Sequence, residues 1–139
     1  YLYRICNRPV RDPFLTGRAW FFPRHLDEAA IERMNRAAAY LIGEHDFAAF
    51  QAQGSPVATT VRCVTYCAVR REGDEVRVTV CADGFLYNMV RIIVGTLLDV
   101  GIGRTEPEEI PAILQTRDRT RAGMTAPPEG LYLHRVFYN

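Results

Sequence analysis

From Phe85 to Gly101 the chain is apolar almost without interruption, yet Arg91 sits near the middle of the stretch. Leu86, Met89, Val90, Ile93, Val94 and Leu97 recur at helical spacing, which predicts an α-helix over Phe85–Gly101. Ile92 and Leu98 widen the apolar surface until little of it is polar, so the helix must lie nearly fully buried. Arg91 would then sit two turns in, and a buried guanidinium stays charged and requires an anionic or hydrogen-bonding partner. Its helical neighbours Tyr87, Asn88 and Gly95 include no acid, so the partner comes from elsewhere in the fold or from another segment. The alternative is a structural cation that reaches an edge or pairs with an internal carboxylate such as Asp46. Gly95, one turn on, would let another backbone or a ligand approach closely.

Around this helix the chain has enough material for one domain. Its 139 residues, 48% of them apolar, suit a single domain (1–139) with a sizeable core. No apolar run reaches about 18 residues without a charge, so no membrane span is expected. Tyr1 to Cys6 reads as a strand from its first residue, as in a piece of a longer protein. Asn7–Thr16 is a loop, and Arg18–Phe22 a second short strand closed by Pro23. Asp27 reads as the N-cap of a helix whose apolar positions are Ile31, Met34, Ala38 and Leu41, with Gly43 ending it.

Glu44–Thr60 reads as a long connection, partly packed down through Phe47 and Phe50. Val61–Arg70 and Val76–Val80 alternate with period two about a turn at Arg71–Asp74, which predicts an antiparallel hairpin. Pro107–Gln115 reads as a shorter helix, Arg117–Gly130 as a loop, and Leu131–Tyr138 as a final strand. This order predicts an α+β fold: an antiparallel or mixed sheet with helices packed on it.

Net charge is only +1, so bulk electrostatics announce no nucleic-acid partner. All 17 basic residues are Arg, whose planar fork suits phosphates and base edges but also reflects coding bias. Arg117, Arg119 and Arg121 alternate in the late loop, where they could hold RNA phosphates or form a solvated run. Cys63 and Cys67 fall on one face of a regular strand, about 13 Å apart, too far to share a zinc or a disulfide. Together with Cys6 and Cys81 they read as reduced packing residues of a cytoplasmic protein. His25, His45 and His134 have no metal-ligand spacing, and no metal site is expected.

Four stretches in order resemble one family. The first is Leu41-Ile42-Gly43-Glu44-His45-Asp46-Phe47. The second is Gly54-Ser55-Pro56-Val57 leading to Thr60-Val61-Arg62. The third, Asp83-Gly84-Phe85-Leu86-Tyr87-Asn88-Met89-Val90-Arg91-Ile92-Ile93-Val94-Gly95-Thr96-Leu97, is similar to the signature helix of the tRNA pseudouridine synthase A family. The fourth runs from Asp118-Arg119 through Ala122-Gly123-Met124-Thr125-Ala126-Pro127-Pro128-Glu129-Gly130-Leu131-Tyr132-Leu133.

The resemblance implies isomerisation of uridines in the anticodon stem-loop of tRNA, by an enzyme that is a homodimer and uses no cofactor. It implies that Arg91 pairs with the catalytic Asp, that Tyr1 packs on the target base, and that Leu131 lines the pocket. The family's nucleophile lies in a Gly-Arg-Thr-Asp type loop of an N-terminal half, and no such loop occurs here. The resemblance therefore implies a C-terminal domain that supplies one wall of the cleft and is inactive alone. The competing readings are a non-catalytic RNA-binding domain, whose sheet would stack bases, and a structural dimerisation domain.

Overall fold

The computed structural model describes residues 1–52 and 57–133. Gly54, Ser55 and Pro56 of the second motif, His134, and the expected strand beyond Leu133 lie outside the described residues. Within them, strands β1 (Leu2–Cys6), β2 (Trp20–Phe21), β3 (Gly43–Asp46), β4 (Val61–Glu72), β5 (Glu75–Ala82) and β6 (Leu131–Tyr132) form one sheet. Its order is β2-β1-β5-β4-β3, with β6 also paired to β1. The β1–β2 pair is parallel and the others antiparallel, so the sheet is mixed. Helices α1 (Glu28–Leu41), α2 (Met89–Gly101) and α3 (Ile110–Thr116) complete the α+β architecture.

Local chemistry explains most boundaries. Asp27 Oδ1 accepts from Ala30 N at 2.8 Å, and the apolar stripe Ala30, Met34, Ala37, Ala38 and Leu41 is buried below that cap. Ile31, expected in the stripe, is only half-buried at its border. Ile42 ends the helix in extended conformation, and Gly43 supplies the φ of +114° that turns the chain into β3. The segment expected as a long connection thus contains a strand and a short 3-10 turn at Ala48–Phe50. Glu44, His45 and Asp46 pair with Cys63, Arg62 and Val61, a register that no local apolar pattern in β3 announces. Phe47 and Phe50 are fully buried, so this segment packs down through them as expected.

The β4–β5 hairpin runs further than its pattern shows. The strands continue to the Glu72–Glu75 pair, which leaves a two-residue turn with Gly73 at φ +63°. Between Val64 and Tyr66 the register shifts by one residue. This bulge inverts the alternation, so Val64 is buried together with Cys67 and Val69. Cys63 and Cys67 therefore do not share a face, which corrects the simple period-two reading. Burial pushes the Cys67 thiol up to about 12.

Helix α2 is the core. All its residues are buried except Arg91 and Asp99. At its C-terminus Arg33 of α1 donates to Gly101 O at 2.7 Å, a cation placed where the helix dipole favours one. Gly101 leaves room for Met34, whose Sδ would lie 2.8 Å from an added Cβ. Helix α1 is tied to the sheet by Asn35, which exchanges both hydrogen bonds with the backbone of Val69, at 2.7 and 2.8 Å. Val69 lies beyond the end of β3, so Asn35 satisfies an edge of β4 that has no neighbouring strand among the described residues. Asn35→Ala leaves both groups without that partner. Chemical denaturation of the 139-residue chain is expected to show a loss of about 1–3 kcal/mol.

Candidate active-site wall

The site is built at the N-terminus of α2, which begins four residues later than its periodicity suggests. Met89 N donates to Leu86 O in a turn, and Asn88 adopts a left-handed conformation at φ +61°. A left-handed residue cannot lie inside a right-handed helix, so α2 starts at Met89. Arg91 is thus the third helical residue, in the first turn instead of two turns in. It is half-buried, not enclosed.

Both of its protein partners are neutral. Arg91 Nε donates to Ala126 O at 2.7 Å and Nη1 to Asn88 Oδ1 at 3.1 Å. Among the described residues it forms no ion pair, and Nη2 makes no hydrogen bond. Asp46, the internal carboxylate considered for it, is engaged elsewhere. It accepts from Thr60 Oγ1 at 2.6 Å and Ala48 N at 3.0 Å, and it lies 3.7 Å from Arg117 Nε.

Residues 122–126 cross α2 as a strap in backbone contact. A Cβ on Gly95 would fall 1.8 Å from Met124 O, and one on Gly123 would lie 2.7 Å from Thr96 N. Gly95 thus admits a backbone, one of the two options its position left open. Gly123 N donates to Thr96 Oγ1 at 2.8 Å, and Ala126 N to Arg91 O at 3.0 Å. From the outer side Arg119 donates to Gly123 O at 2.7 Å and to Thr125 Oγ1 at 3.0 Å.

Further along, Tyr3 is fully buried and its hydroxyl donates to Pro127 O at 2.5 Å. Burial, reinforced by the nearby Glu129 carboxylate and opposed by the Arg91 charge, holds the Tyr3 phenol well above its usual range. Gly130 lies so close over it that a Cβ would meet Tyr3 Cε1 at 2.6 Å. Leu131 then pairs with Tyr3 across β6 and β1.

This path gathers the three residues singled out from the sequence. Tyr1, Arg91 and Leu131 line one recess of about 320 Å³, together with Phe85, Tyr87, Asn88 and neighbours on α2. The Tyr1 and Phe85 rings meet edge to face, 4.9 Å between centroids at 84°. The Arg117, Arg119 and Arg121 run does not stay together. Arg117 ends α3 at φ +53° beside Asp46, Arg119 is turned inward to the strap, and Arg121 is exposed. Asn88 is the site residue that sequence reasoning missed. The periodicity places Asn88 inside the helix, and local pattern gives no sign of the left-handed break there.

The chemistry available is that of an aromatic ring and an aliphatic side chain beside a guanidinium with a nitrogen to spare. Such a wall can stack a planar ring and pair with a carboxylate. Gly95→Ala forces the strap off α2, and overpacking of this kind costs about 1–3 kcal/mol or more. Thermal melts are expected to show that loss in the 139-residue chain.

The profile of the tRNA pseudouridine synthase family matches residues 37–139. Over 138 residues the chain is 49% identical to a protein of Acetivibrio thermocellus named tRNA pseudouridine synthase A, covering 99% of this chain and 55% of that protein. It is 48% identical over 139 residues to tRNA pseudouridine synthase A 2 of Clostridium tetani, covering 100% of this chain and 55% of that protein. To tRNA pseudouridine synthase A of Thermoanaerobacter sp. strain X514 it is 46% identical over 138 residues, again 99% and 55%. The chain spans about half the length of the curated relatives it matches.

Proposed function

The chain belongs to the tRNA pseudouridine synthase family, and we propose that it forms one wall of the cleft in which a uridine of the tRNA anticodon stem-loop becomes pseudouridine. The observation that carries this reading is the convergence of Tyr1, Arg91 and Leu131 on one recess, with no acidic partner for Arg91 among the described residues.

The reaction breaks the bond between ribose C1′ and uracil N1, turns the base, and joins C1′ to C5, while C5 loses its proton and N1 gains one. The nucleotide must first leave its stack. An aspartate from a second half of the enzyme acts as nucleophile, at sugar or base. Arg91 pairs with that carboxylate and keeps it ionised, because a neighbouring cation lowers a carboxyl pKa. Tyr1 stacks on the uracil as it turns, and Leu131 supplies an apolar edge that limits water. No hydride, phosphoryl or electron transfer occurs, so the chemistry calls for no cofactor. Arg121, exposed near the strap, contacts tRNA phosphate, whereas Arg119 holds the strap.

Tritium release from tRNA labelled at uridine C5 tests the assignment in the complete enzyme. Arg91→Lys keeps the charge but loses the planar fork. It is expected to bind tRNA nearly as well as the parent and to turn over about 10²-fold more slowly or worse, the scale of losing an aimed charged contact. Tyr1→Ala is expected to lose about 1–3 kcal/mol of base stacking. If the folded Arg91→Lys enzyme turned over normally and only its melting temperature fell, Arg91 would be a structural cation and the proposed reaction would lose its main support. The 139-residue chain by itself is expected to release no tritium from the same substrate.

A further inference from the structure

We propose that Asn88 is a positioning residue whose side-chain oxygen, with the Ala126 carbonyl, aims the Arg91 guanidinium so that Nη2 is the nitrogen left for the catalytic carboxylate, an inference that rests on the function proposed above.

Asn88 occupies the N-cap position of α2 but does not cap it. A capping Asn sits in extended conformation and accepts from the backbone N–H of the second or third helical residue. Asn88 instead has φ +61° and ψ +11°, and its side chain makes no bond to the helix backbone. Its Oδ1 accepts from Arg91 Nη1 at 3.1 Å. Arg91 is the third helical residue, so the oxygen serves the side chain of the residue whose backbone N–H a cap would commonly take.

Among the described residues only Asn88 and Arg117 are non-glycine residues with positive φ. A backbone that simply required this conformation would be served with less strain by glycine. The oxygen is what Asn adds.

Two fixed acceptors define a planar group. With Nε held by Ala126 O and Nη1 by Asn88 Oδ1, rotation about the last side-chain bonds is blocked. Both acceptors are neutral, so neither cancels the charge that a carboxylate is to meet. One comes from the turn before α2 and the other from the strap that Gly95 and Gly123 allow against it. Asn88 also lines the same recess as Arg91, Tyr1 and Leu131.

The test uses Asn88→Gly in the complete enzyme, since Gly accepts the left-handed backbone while the side chain that bears the oxygen is removed. Its melting temperature is expected to equal or exceed the parent's. The KM for tRNA is expected to stay near the parent value while kcat falls about ten- to a hundredfold. The acid limb of the kcat–pH profile is expected to move to higher pH, because a less firmly paired carboxylate takes up a proton more readily. Asn88→Asp, which sets a competing anion against Arg91, is expected to lose more kcat than Asn88→Gly. In an Arg91→Lys background Asn88→Gly is expected to add no further loss, since Asn88 acts through the guanidinium.

Parental kcat and pH profile in Asn88→Gly would overturn the proposal, as would a loss confined to melting temperature or KM. An additive loss on top of Arg91→Lys would also overturn it, by placing the action of Asn88 elsewhere. If Arg91→Lys is impaired while Asn88→Gly is not, this inference alone fails. If Arg91→Lys itself is fully active, the functional reading fails first.

Discussion

The contact on which the site depends is the approach of two backbones, α2 at Gly95–Thr96 and the strap at Gly123–Met124. No side chain beyond hydrogen fits at either glycine. Once the backbones touch, Thr96 takes the Gly123 N–H, Arg91 and Ala126 exchange two hydrogen bonds, and the chain is directed over Tyr3 to Leu131. Residues 123–131 thus join the helix carrying Arg91 to β1, the strand that Tyr1 immediately precedes. A displacement at Gly95 would be felt at both walls of the recess, because close-packed interiors transmit strain instead of absorbing it.

The arginines of this chain divide by what they touch. Arg4 makes a two-pronged pair with Glu75 at 2.6 and 3.0 Å, which holds the Glu75 carboxyl below the usual carboxylate range. Arg33 closes the C-terminus of α2, Arg71 joins Asn7 and Leu26, and Arg119 fastens the strap. Arg91, like Arg33, Arg71 and Arg119, has only neutral acceptors, but among these it is the one that lines the recess with Tyr1 and Leu131. Carbonyl and amide dipoles orient a guanidinium without neutralising it, which is compatible with the carboxylate pairing proposed for Arg91.

Placement in the first turn of α2 sharpens this point. A cation at a helix N-terminus gains nothing from the helix dipole, which favours anions there. Arg91 is therefore held against the local field by Ala126 and Asn88 rather than stabilised by it. The same positive end of α2 would favour a carboxylate brought to the recess, so the dipole and the guanidinium act on it in one direction.

The sequence by itself determined those features that are encoded in local pattern. The Asp27 cap, the buried stripe of α1, the hairpin and the all-round apolar α2 follow from spacing within a few turns, since 3.6-residue and two-residue periods report which face is buried. The resemblance to a known family singled out Arg91, Tyr1 and Leu131 as the residues to watch. What local pattern could not hold was decided by the tertiary structure. Strand β3 carries polar residues and exists because β4 offers it an edge. The bulge at Val64–Tyr66 resets which face is inward, and period-two counting assumes no such shift. Helix α2 begins at Met89 because Asn88 is left-handed, a conformation that Asn adopts but does not announce. Arg117, Arg119 and Arg121, neighbours in sequence, go to three different environments. Tyr1, Arg91 and Leu131, distant in sequence, meet at one recess. Contacts across that much chain depend on how the strap, the helix and the sheet pack together, and no window of adjacent residues contains that packing.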